Sequence, residues 1–139
     1  SGNPVDRLSV IAGAVFMQPR VTGDAVRLGR VGRKPLGQPS TILRANADYQ
    51  LGFMPGVSLD VAISWFSRRA SSRDNRVSVD AYGLVDMGAR YRFLLGKSPA
   101  TVRVQVQNIM NTFAWTILGS NTYGLMDRRR VSALLTIDL

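Results

Sequence analysis

Histidine, cysteine and glutamate are all missing from the 139 residues. Without cysteine there is neither a disulfide framework nor a thiolate metal site. Without histidine there is no Ser-His triad, no His-ligated zinc and no imidazole base. Glutamate is absent and Lys34 and Lys97 are the only lysines, so the two residues that usually furnish helix surfaces are scarce. All nine acids are aspartates set singly along the chain, which leaves no visible acid/base dyad. The longest apolar run, Val10 to Met17, falls far short of the roughly 18 residues of a membrane helix. Nothing reads as a signal peptide. Gly29-Arg30-Val31-Gly32-Arg33-Lys34 has neither the full spacing of a phosphate loop nor a following helical pattern. A non-enzymatic chain without a cofactor is the expectation.

What is present is a period of two. Val57, Leu59, Val61, Ile63 and Trp65 alternate with Ser58, Asp60, Ala62, Ser64 and Phe66. The same alternation runs through Leu43 to Leu51, Val85 to Phe93, Val102 to Gln107 and Val131 to Leu139. A first segment, Val5 to Met17, is less clean, because Ile11, Val15 and Met17 intrude on its polar face. This predicts an all-β fold: an antiparallel up-and-down meander of about six strands, each around ten residues long. Ordinary strands average about five or six residues, whereas a tilted membrane-crossing strand needs about nine to eleven.

The connections alternate as well. Residues 18–40, 68–80 and 111–128 form long links, while Met54-Pro55-Gly56 and Gly96-Lys97-Ser98-Pro99 are tight turns. In a meander every long loop then falls at one end and every short turn at the other, as in outer-membrane barrels. Aromatic residues near the strand ends predict two girdles, Phe16, Trp65 and Tyr82 at the long-loop rim and Tyr49, Phe53, Tyr91 and Phe93 at the other. These features together make the meander part of a transmembrane β-barrel. Alternation by itself equally fits a soluble β-barrel or sandwich that binds a ligand or partner.

The charge is strongly one-sided, +9 at pH 7. Twelve basic residues, ten in the long links plus Arg129 and Arg130 just after the third, stand against Asp24, Asp74, Asp80 and Asp127, placing +8 of the surplus at one rim. Lipopolysaccharide phosphates and an anionic ligand both suit such a rim. Nucleic acid does not, since no aromatic stacking platform interleaves with the arginines. Candidate ligand contacts are Arg30, Arg33, Lys34, Arg68, Arg69, Trp115 and Tyr123. Arg44, Arg90, Arg92 and Arg103 share polar faces with Asp48, Asp60, Asp86 and Asp138, either as a cross-strand charge ladder or as a substrate-guiding wall. Gly83 and Gly88 are read as bends.

Thr101-Val-Arg-Val-Gln-Val-Gln-Asn108-Ile109-Met110-Asn111 resembles the penultimate strand and turn of TonB-dependent outer-membrane receptors of the ferric-siderophore type. Trp115, Tyr123-Gly124 and Arg128 to Leu139 are similar to that family's closing motifs. Pro39 ahead of Leu43 to Leu51, Pro55-Gly56-Val57-Ser58-Leu59 and Tyr82-Gly83-Leu84-Val85-Asp86 are similar to its barrel strands. Met110 and Leu139 replace residues that are aromatic in the family, and Met126-Asp127 stands where a proline is usual. The resemblance implies that residues 1–139 are the C-terminal part of a barrel of about 22 strands, with plug and TonB box lying elsewhere. It further implies an outer-membrane location and uptake of a ferric siderophore or similar nutrient, with TonB engaged only through the plug. An isolated segment of this kind is expected to self-associate through bare strand edges and its apolar face.

Overall fold

A computed structural model describes residues 1–138, the side chains of residues 3–5 excepted. In chain order the strands are β1 (Gly2–Val5), β2 (Leu8–Phe16), β3 (Thr41–Gln50), β4 (Val57–Phe66), β5 (Arg69–Ala70), β6 (Ser78–Val79), β7 (Tyr82–Leu95), β8 (Ser98–Gln107), β9 (Trp115–Gly119), β10 (Thr122–Leu125) and β11 (Arg130–Ile137). One short helix, α1 (Asp24–Arg27), interrupts the first long loop. The main sheet runs β1-β2-β3-β4-β7-β8-β11, antiparallel throughout, and its first and last strands do not meet. β5 and β6 pair as a small hairpin in the second long loop, and β9 and β10 as another in the third.

The six expected strands are therefore present, the first as β2 (Leu8–Phe16), and a short additional strand, β1, precedes it. Asp6 and Arg7 turn the chain, with Arg7 at φ 70°, so that Gly2–Val5 folds back beside β2 instead of extending it. Neither Gly nor Pro marks that turn. It adds a third tight connection at the short-turn end, beside residues 51–56 and Gly96-Lys97. Gly56 is indispensable there: its φ is +86°, and a Cβ would strike the carbonyl oxygen of Arg92. The expectations for Leu139 lie outside the described residues.

The register sorts side chains into continuous rows. Val10, Ala47, Val61, Met87, Val106 and Val131 are successive partners across six strands, as are Leu8, Tyr49, Leu59, Ala89, Val104 and Ala133. On the opposite face run Ser9, Asp48, Asp60, Gly88, Gln105 and Ser132, then Gln50, Ser58, Arg90, Arg103 and Leu134. Because the side-chain period is two, a slip of one residue would exchange these faces. The aliphatic face is not gathered into a dry centre. Among the described residues the buried hydrophobics are Ala70, Val79, Ala100 and Ala114, while Ile63, Met87 and Val131 lie exposed.

One girdle residue is on the other side. Phe16 and Trp65 share the aliphatic face, but Tyr82 pairs with Phe66, and both fall in the row Val15, Ile42, Phe66, Tyr82 on the polar face. Tyr82 stacks on Phe66 with centroids 5.1 Å apart, and the Arg44 guanidinium lies 5.9 Å from the Phe66 ring. Counting back from Val85 in twos reaches Gly83 and skips Tyr82. Height along the strand was right; face was not.

The polar wall is a charge ladder. Asp48 faces Asp60 directly, and Arg90 faces Arg103, two like-charge pairings that are unfavourable by themselves. They are relieved diagonally, Arg90 donating to Asp48 at 3.2 Å and Arg103 to Asp60 at 3.4 Å. Gly88 is what lets Asp60 lean across, since a Cβ there would sit 2.6 Å from both carboxylate oxygens. Its role is thus space, not a bend. Gly88→Val is expected to displace that carboxylate and destabilise the sheet by about 1–3 kcal/mol. Denaturant titration should also show that Asp60→Asn costs less in the valine background than in the wild type. Equal costs in the two backgrounds would remove this role from Gly88.

Candidate functional site

The three long loops are tied together at one end of the sheet. Asn75, held at φ 59°, inserts its side-chain amide beside the first loop. Its Oδ1 accepts from the Lys34 N–H at 2.7 Å and its Nδ2 donates to the Lys34 carbonyl at 2.8 Å. Gly32 N–H donates to the Arg73 carbonyl, and Gly37 N–H to that of Ala70. A Cβ on Gly32 would collide with the Asn75 amide, so glycine is required at this contact. On its other flank the second loop holds the third. Ser71, fully buried, accepts from the Asn121 N–H with its carbonyl and shares a 2.9 Å hydrogen bond with the Tyr123 hydroxyl. The tip of this middle loop is shaped by Asp74. Hydrogen bonds from the Ser72 hydroxyl and the Arg76 N–H, with the Arg76 charge, hold its carboxyl below the usual carboxylate range.

Two cavities flank the β5–β6 hairpin. The first, 770 Å³, lies between the first and second loops and is ringed by Arg20, Arg33, Lys34, Arg68, Arg69 and Arg76. The second, 580 Å³, lies between the second and third loops and is lined by Val77, Val79, Tyr82, Phe113, Trp115 and Tyr123. Asp80 also borders the second, but it accepts two hydrogen bonds from Arg68, the shorter 2.6 Å. Arg69 joins the two. The residue lines the basic cavity, and its guanidinium donates to the Trp115 carbonyl at 3.1 Å and to the Tyr82 hydroxyl at 3.3 Å and lies 5.2 Å from the Tyr82 ring.

Of the residues singled out from the sequence, Arg33, Lys34, Arg68 and Arg69 come together around the basic cavity, while Trp115 and Tyr123 line the aromatic one. Arg30 lines neither: its N–H bonds to the Ala25 carbonyl behind α1, and its side chain is exposed. Arg20, Arg76 and Phe113 were not among the candidates. Arg20 and Arg76 carried the right charge, but only the loop-to-loop contacts place them here. A cavity surrounded by six cations, of which Arg68 is paired with Asp80 and Arg76 with Asp74, keeps a net positive charge and suits a polyanion of small-molecule size. No group of three or more His, Cys, Asp or Glu able to hold a metal occurs among the described residues.

The third loop is anchored by the Asn108-Ile109-Met110-Asn111 motif. Asn108 and Asn111 both take positive φ, 49° and 52°. Asn108, nearly buried, donates through Nδ2 to the carbonyls of Thr112 and Asp127 and accepts the Thr112 N–H. Its own N–H goes to Asp86 at 2.7 Å. Asparagine suits this position because it tolerates the left-handed region and its short amide reaches the local backbone.

Protein-family models give no match to the chain, and neither do curated protein sequences. Solved structures do match. The ferric preacinetobactin receptor BauA from Acinetobacter baumannii superposes with a TM-score of 0.82 at 22% identity, over 96% of this chain and 20% of that one. FpvA of P. aeruginosa, bound to a heterologous ferric pyoverdine, gives 0.73 at 19% identity over 99% of this chain and 18% of its own. FpvAI in complex with pyocin S2 gives 0.71 at 19% identity over 98% and 17%. The chain spans about a fifth of the length of these receptors. At these identities the likeness shows the fold alone: a long-stranded antiparallel meander with its loops, as found in a stretch of each of these receptors.

Proposed function

We propose that residues 1–139 form part of the barrel of an outer-membrane, TonB-dependent receptor, with the aliphatic rows toward lipid and the charge ladder toward a wet interior. The three tied loops then stand on the outer surface, where they capture an anionic ferric chelate such as a siderophore. Uptake is driven through TonB acting on a plug, and this stretch performs no chemistry of its own. The observation that carries the reading is the convergence of six cations from two loops on one cavity of ligand size at the long-loop end. Arg128 and Arg129, exposed where β11 begins, suit lipopolysaccharide phosphates at the same rim. Backbone groups along the free sides of β1 and β11 suit pairing, so an isolated copy of this stretch would associate with others. A soluble binding domain is disfavoured by the exposed aliphatic rows, which no second layer of the described residues covers.

The test is binding of a ferric tris-catecholate of net charge −3 to the intact receptor in detergent. Arg33→Glu with Arg76→Glu should slow association by roughly 10- to 1,000-fold at low salt, with the deficit shrinking as salt rises. Arg128→Glu with Arg129→Glu should leave it nearly unchanged. Equal effects of the two double variants, or none from the first, would count against the cavity as the capture site.

A further inference from the structure

We infer that Asn75 sets the gap between the two cationic walls of the basic cavity, and through that gap the size of anion the cavity takes. This rests on the capture reading and adds to it a specificity determinant. The six cations come as two sets. Arg20, Arg33 and Lys34 belong to the first loop, where the Val21 N–H donates to the Arg33 carbonyl at 2.8 Å and holds that wall together. Arg68, Arg69 and Arg76 belong to the second, whose backbone is fixed by the β5–β6 pairing and by the Ser71 N–H on the Val77 carbonyl. Each wall is braced internally, so what remains to be set is the distance between them.

That distance is fixed at two heights. At the base, where β3 begins and β4 ends, the Ser40 and Ser67 hydroxyls lie 3.1 Å apart, and Ser67 Oγ accepts from the Thr41 N–H. Toward the tip, the Asn75 amide takes both backbone groups of Lys34, which is a sheet-like bridge made by a side chain. Asn75 borders the cavity yet has little to give an occupant. Both Nδ2 hydrogens have acceptors, the carbonyls of Lys34 and Ser72, and the lone pair left on Oδ1 repels an anion. Its part is positioning. Arg20, Arg33 and Lys34 have no carboxylate partner among the described residues, so without Asn75 their charge pushes the first wall away from the second. The Gly32 bond to Arg73 stays behind as a single point about which the wall turns. An anion that spans the native gap then reaches one set of cations instead of two.

Two ferric tris-catecholates of the same net charge, −3, one bare and one carrying a neutral morpholine amide on each ring, read the gap in the intact receptor in detergent. Wild type should bind the bare chelate on the order of tenfold more tightly than the bulky one. Asn75→Ala should weaken the bare chelate several-fold and leave the bulky one unchanged or tighter, erasing the preference. Asn75→Asp keeps the acceptor for the Lys34 N–H and should retain part of it, while its added charge burdens both chelates alike and cancels in the ratio. Asn75→Gly accepts φ 59° without strain and should match the alanine variant, so the test stands even where alanine impairs folding. A merely structural Asn75 would weaken both chelates by one factor. That result, no change in either, or no preference for the bare chelate in the wild type overturns the gap-setting role while leaving capture in the basic cavity standing. Failure of the wild type to bind either chelate overturns the capture reading and this inference with it.

Discussion

Val61→Arg is expected to cost the assembled barrel about 2–4 kcal/mol, whereas Ala62→Arg, one residue away, should fold with near wild-type stability. Position 61 sits mid-strand in the row Val10, Ala47, Val61, Met87, Val106, Val131. If that row meets hydrocarbon, a guanidinium there must either lose its hydration or drag water into the bilayer. Position 62 lies between Asn46 and Asp86 in the polar row, so an arginine there gains a carboxylate directly opposite. Denaturant unfolding of the receptor in bilayers measures both changes. Equal penalties at the two positions, or a larger one at 62, would reverse the assignment of faces and remove the membrane reading.

Asn108→Ala should release the base of the third loop, at a cost on the order of 3 kcal/mol. Two separable losses add. Alanine at φ 49° pays for the left-handed region, and three hydrogen bonds to Thr112 and Asp127 disappear. Asn108→Gly restores the conformational tolerance but not the bonds, so it should recover about 1–2 kcal/mol of the loss. Hydrogen exchange of residues 112–127 should rise in both variants, more in the alanine. A glycine variant no more stable than the alanine would mean that the backbone conformation contributes nothing.

Much of the fold was legible in the sequence because membrane-length strands must repeat their alternation many times. Val57 to Phe66 states its two faces five times over, and the register repeats that choice in its neighbours. Where a signal rests on one or two residues it fails. The Asp6-Arg7 turn has no glycine or proline, and Tyr82 could be assigned a height but not a face. Gly88 reads as a bend until Asp60, twenty-eight positions away, is seen to need its space. The site was legible only as charge. That Arg33 and Arg76 border one cavity follows from hydrogen bonds such as Asn75 to Lys34, forty-one residues apart, which leave no local pattern.

The fastening of the three loops to one another has a thermodynamic consequence. Residues 70–75 are bonded to Gly32, Lys34 and Gly37 on one flank, and Ser71 to Asn121 and Tyr123 on the other. Their disorder is thus largely given up when the chain folds, and a guest arriving later has less of it to remove. It also means that alterations at Lys34 and at Tyr123, which share no direct bond, should interact when combined, because each loosens the same intermediary.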